Sequence, residues 1–101
     1  MTERLAPATQ LPVGVSACRR TDIFTEATVP AGLLDAHSTK AGTWGLIRVM
    51  EGALRYRVVD ERRTPRERIL TPRDAAGVVE PQILHEVAPL GSVHFYVEFF
   101  R

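Results

Sequence analysis

Short stretches of alternating apolar and polar side chains, punctuated by glycine and proline, run through this sequence from residue 13 onward. Seven prolines and seven glycines are spread over 101 residues. They leave no long window in which a helical period is sustained. Between them the apolar residues recur every second position, the period of a strand with one buried face.

The clearest case is Trp44 to Met50, where Ile47 and Val49 share one face and Leu46, Arg48 and Met50 share the other. Glu51-Gly52 interrupts the run, and Leu54, Tyr56 and Val58 resume it opposite Arg55 and Arg57. Two strands around a short glycine-containing turn predict a hairpin. Ile83, His85 and Val87 form a further face, Pro89-Leu90-Gly91 reads as a turn, and Val93 to Phe100 is the last and most aromatic strand. Shorter candidates lie at Val13–Val15, Ile23–Thr25, Val29–Leu34, Ile69–Leu70 and Gly77–Glu80. The total is roughly eight strands at about 8–12-residue spacing, which predicts an all-β sandwich or closed barrel. Residues 22–28 and 60–68 are the places where a brief helix fits.

The length corresponds to one domain. Residues 1–12, rich in Ala, Thr and Pro, read as a flexible arm, and residues 13–101 as the barrel domain. Apolar residues make up 45% and charged residues 25% of the chain, which is ordinary globular composition. The net charge of +1 gives no broad attraction to nucleic acid or anionic membrane. Arg62, Arg63, Arg66, Arg68 and Arg73 are interleaved with Asp60, Glu61, Glu67 and Asp74, so that segment reads as a solvated loop. No apolar run is long enough to span a bilayer, and Cys18 is alone. Neither a GxGxxG nor a Walker pattern occurs, so no nucleotide cofactor is expected. These features lead to an expectation of a cytoplasmic protein.

Arg20 to Glu26, Val29 to Leu34 and His37 to Gly45 carry a resemblance, which continues through Val49 to Tyr56, Glu80-Pro81, His85 and Phe95 to Phe100. In this order the blocks resemble the small bacterial cupins of the YeaR/TehB-like family. The resemblance implies a double-stranded β-helix, or jelly roll, and an association with tellurite resistance. Some members stand beside a methyltransferase domain. Against the general cupin metal motifs, Gly52 occupies the glycine position, but Gly45 stands where a glutamate belongs and Lys40 where a histidine belongs. The four-ligand set therefore does not carry over intact.

His37 and His85 are the histidines nearest the two motif regions. Imidazole suits zinc, iron, manganese or nickel, and a carboxylate completes such a set. Glu98 is the third candidate ligand if His94, Tyr96 and Glu98 line the cavity. The opposite phase puts Phe95, Val97 and Phe99 in the core and Glu98 outside. The plainer reading of each histidine is a half-buried side chain with a local hydrogen bond. Arg48 and Lys40 are candidates for gripping an anionic ligand, Arg through its planar fork. Alternatively Arg48 pairs with Glu51 or Glu98.

Three functions follow as expectations. The first is a cupin-like protein holding a divalent metal, a small anionic ligand such as an oxyanion, or both, with the link to tellurite or related oxyanion stress that the resemblance implies. The second is a metal-dependent oxygenase or isomerase acting on a small organic acid. The third is a metal-free interaction module, homodimeric through its aromatic C-terminal strand.

Overall fold

The protein is described by a computed structural model covering residues 3–101. It is all-β, with 51% strand and 4% helix, in a single compact domain. The strands are β1 (Ala17–Arg20), β2 (Phe24–Thr25), β3 (Trp44–Val58), β4 (Arg66–Leu70), β5 (Gly77–Val79) and β6 (His85–Phe100); one turn of helix, α1 (Ala31–Leu34), follows β2.

Two long strands organise everything else. β3 and β6 pair antiparallel from Trp44↔Phe100 to Val58↔His85. The sheet order is β1-β6-β3-β4, with β2 added to β6 and β5 to β3. The sheet bends over itself without closing, which corrects the expectation of a closed barrel.

The predicted hairpin at Glu51-Gly52 and the predicted turn at Pro89-Leu90-Gly91 are both bends within continuous strands. Six strands therefore stand among the described residues where the sequence spacing suggested about eight. Both glycines have positive φ, +80° at Gly52 and +81° at Gly91, so each lets its strand turn a corner without reversing. The pairs Val49↔Phe95 and Glu51↔His94 leave Met50 as an extra residue on β3. One extra residue inverts a strand's faces. That is why the inward set on β3 changes from Ile47 and Val49 to Leu54, Tyr56 and Val58, while Met50 stays exposed.

The core lies inside the bend. Ile47, Leu54, Leu70, Val79, Val93 and Phe95 are its most deeply buried side chains. Tyr56 belongs to it as well, because its hydroxyl donates to the Val78 carbonyl at 2.6 Å, which pairs the one polar atom of that buried side chain. Helix α1 falls in neither segment suggested from the sequence, and the 60–68 segment instead contains the start of β4. Near the N-terminus, Leu5 bridges to Arg63, Pro7 is buried, and the Ala8 amide donates to Glu80 Oε1 at 2.7 Å.

A side chain at Gly52 would run into the backbone carbonyl of Ser92 on β6, whereas one at Gly91 would meet nothing within 4 Å. Gly91→Ala should therefore cost only the penalty for positive φ, about 1–2 kcal/mol. Gly52→Ala should cost clearly more, because it also forces the central strand pair apart. Urea unfolding of the two variants measures the difference, and equal losses would contradict this account of the bend.

Candidate functional site

The concave side of the bent sheet holds a cleft of about 630 Å³. Its wall is mostly apolar, built from Phe24, Leu33, Ile47, Val79, Phe95 and Val97 among others. These residues come from β2, α1, β3, β5 and β6, and β1 adds Cys18 and Arg19. The side chains of β6 alternate, and Phe95, Val97 and Phe99 face the cleft.

That phase removes Glu98 from the cavity. Glu98 sits on the opposite face, where Arg48 Nε donates to its Oε1 at 3.3 Å. Arg48 therefore lies on the outer face with Glu98, away from the cleft wall. The cause is strand alternation: Ile47 and Val97 point inward, so their neighbours point outward. Lys40 stays at the cleft mouth, with Arg19 and Arg101. Glu80 is bound by Arg63 at 2.8 Å, and His94 by Glu51 at 2.8 Å.

His37 and His85 meet in the cleft wall. Their backbones exchange two hydrogen bonds, His37 N–H to His85 O at 3.0 Å and His85 N–H to His37 O at 2.9 Å. Their rings stand 4.1 Å apart between centroids, tilted by 57°. Nδ1 of His37 lies 2.9 Å from the Asp35 carbonyl oxygen, and Nδ1 of His85 lies 3.2 Å from that of Ile83. A carbonyl oxygen only accepts, so each Nδ1 carries the ring proton and donates it. His85 is 5% exposed. Burial, with the neighbouring His37 ring in support, lowers its pKa to about 4, because a cation in this apolar site lacks hydration.

The turn before His85 is held from outside the cleft. Asp60 is nearly buried and takes a two-pronged contact from the Arg62 guanidinium, at 2.9 and 2.8 Å. The same carboxylate accepts from the Leu84 amide at 3.0 Å, and Arg62 also donates to the Gln82 carbonyl at 2.6 Å. The Arg62 hydrogen bonds hold the Asp60 carboxyl well below the usual carboxylate range. Gln82 takes a positive φ of 63° inside this clamp, a conformation uncommon for a side-chain-bearing residue. Asp60 and Arg62 thus fix the turn whose Ile83 carbonyl orients the His85 ring. Sequence reasoning placed both in a solvated loop, because an alternating charge run carries no sign that one carboxylate is buried.

No group of three His, Cys, Asp or Glu residues positioned to hold a metal ion occurs among the described residues. With Glu98 on the far face, the His37, His85 and Glu98 set does not assemble. Among the described residues no helix is long and apolar enough to cross a membrane.

Residues 19–97 match the TehB-like domain family. A probable S-adenosyl-L-methionine-dependent methyltransferase TehB of Haemophilus influenzae is 34% identical over 71 residues, covering 69% of this chain and 25% of that protein. The chain thus spans about a quarter of the length of the curated relatives it matches. The crystal structure of TehB from Haemophilus influenzae superposes with a TM-score of 0.77 at 28% identity, covering 85% of this chain and 31% of the other. A protein of E. coli strain K12 superposes with a TM-score of 0.79 over 93% of this chain and 97% of its own, at 24% identity, a likeness of fold. The curated relatives are named for S-adenosylmethionine-dependent methyl transfer. That finding corrects the expectation of a metal-binding cupin and of a zinc, iron, manganese or nickel cofactor, together with the oxygenase, isomerase and metal-free module alternatives.

The buried ring gives a pH test. A histidine whose folded pKa lies below its unfolded value binds its proton more readily in the unfolded chain. Its effect is to reduce stability as pH falls from about 6.5 towards about 4, with no further change below that. NMR titration should place the His85 ring midpoint near pH 4, and His85→Phe should remove this part of the stability slope. A midpoint near 6.5 would show that the ring is hydrated.

Proposed function

This chain belongs to the TehB-like domain family, and from that premise we propose that it serves methyl transfer on the acceptor side, holding a small organic molecule in its cleft. The observation that carries this reading is the cleft itself, about 630 Å³ and walled by apolar side chains around a neutral buried imidazole. Small-molecule sites have this size and this mixture of apolar wall and few fixed polar groups.

S-adenosylmethionine does not fit the residues present. A dinucleotide-type nucleoside site uses a glycine-rich turn from a parallel strand into a helix, with a carboxylate on the ribose hydroxyls. Here the named strands all pair antiparallel, and α1 is four residues long. No Asp or Glu lines the cleft. At its mouth stand Lys40, Arg19 and Arg101, which carry the same sign of charge as a sulfonium. The cofactor belongs to a separate domain in this reading, and no step of the transfer runs through the residues of this chain.

We also assign the sheet to the double-stranded β-helix class. Supporting this are the two long strands that turn corners at Gly52 and Gly91 and the superposition over nearly the whole of the E. coli protein.

Calorimetric titration with S-adenosylmethionine should give no binding up to millimolar concentration. Phenol, as a simple probe of the cleft, should shift the amide resonances of Phe95, Val97 and His85. Val97→Trp, which fills the cleft, should weaken that response at least tenfold. Micromolar binding of S-adenosylmethionine would overturn the assignment of this chain to the acceptor side.

A further inference from the structure

The two imidazoles define what the cleft recognises. Each Nδ1 is committed to a backbone carbonyl two residues earlier in the chain. The opposite edge of each ring, with Nε2, is turned away from that carbonyl. Among the described residues neither Nε2 has a protein hydrogen-bond partner. In the neutral ring with Nδ1 protonated, Nε2 is a lone-pair acceptor and nothing else. With centroids 4.1 Å apart, the two rings place a pair of acceptors in one small patch of the wall.

Each class of ligand meets this patch differently. An anion brings lone pairs against lone pairs at the two rings, so Arg19, Lys40 and Arg101, which line the same cleft, hold it only at their own end and leave both imidazoles unpaired. A cation finds no carboxylate in the cleft lining. An apolar molecule without donors displaces water from both ring nitrogens and leaves them without partners, which costs free energy. A neutral molecule with an apolar body and two adjacent O–H, N–H or S–H groups satisfies both acceptors and fills the remaining wall.

We propose that the cleft selects a neutral apolar molecule carrying two adjacent hydrogen-bond donors, of which an aromatic diol is the simplest form, and that it discriminates against the same molecule when a donor is capped by a methyl group. The proposal rests on the acceptor-side reading above and adds the chemical class of the acceptor. It also distinguishes an acceptor from its methylated product, since capping one donor leaves one imidazole unpaired. Sites built to hydrogen-bond a hydroxyl reject analogues lacking it more strongly than hydrophobic pockets reject a change of one methylene.

Three probes of nearly the same shape separate the outcomes: catechol, its mono-methyl ether guaiacol and its dimethyl ether veratrole. Each is titrated into the 101-residue protein, following the amide resonances of Phe95, Val97 and His85. Affinity should fall about tenfold from catechol to guaiacol and further to veratrole. In His37→Phe, which changes the more exposed of the two rings, catechol and guaiacol should bind within about twofold of each other. If all three probes bind the cleft of the unmodified protein equally, the donor rule fails while the acceptor-side reading stands. If the preference for catechol survives in His37→Phe, the paired-acceptor explanation is overturned. If none of the three perturbs the cleft resonances at millimolar concentration, both the donor rule and the acceptor-side reading fall.

Discussion

The antiparallel pairing of β3 with β6 is the constraint on which the rest of the molecule depends. Neither strand has a core of its own, and each takes its inward face from the other. Because the pairing runs from Trp44↔Phe100 to Val58↔His85, it spans both arms of the bent sheet. β1 and β2 attach to β6, and β4 and β5 attach to β3. The cleft exists because this pair turns a corner while keeping its hydrogen bonds. Gly52, with no side chain facing the Ser92 carbonyl, allows the close approach at that corner.

Charge is distributed by the same alternation. The outer face of the sheet carries its arginines beside acids: Arg48 with Glu98, Arg55 and Arg57 with Glu67, and Arg57 with Glu86. Such exposed pairs contribute little to stability individually. On the other face, no Asp or Glu appears in the cleft lining. The buried Asp60 has a different role. It ties Arg62 and the Leu84 amide together and so holds the turn that presents His85. Ordering of this cleft-lining ring thus comes from a charged cluster outside the cavity.

The relation to the TehB proteins follows the same division. The part that superposes on TehB, 85% of this chain, is the antiparallel sheet. It has none of the parallel strand, glycine turn and helix arrangement by which nucleoside cofactors are held. A fold hosts many chemistries, and the site's own donors and acceptors decide among them. Here the cleft sets two histidine rings in a mostly apolar wall, with Arg19, Lys40 and Arg101 at its mouth.

The all-β class was legible because Ile47, Leu54, Tyr56, Phe95 and Val97 recur at period two, and period two is a local property of the backbone. The resemblance in Arg20 to Tyr56 and Phe95 to Phe100 also carried the TehB-like relationship without any structure. Sequence did not distinguish a bend from a reversal at Gly52 and Gly91, because a positive-φ glycine serves a hairpin turn and a bulged strand equally well. Only the partner strand decides which occurs. Nor did it settle the face of Glu98, since the last strand alternates in either phase until Val97 is seen opposite Ile47. His37 and His85 lie 48 positions apart in the chain, and only folding the sheet sets their rings side by side. The sequence by itself determined which residues are apolar, charged or able to turn. Tertiary structure decided which of them face one another, because that depends on register between distant strands.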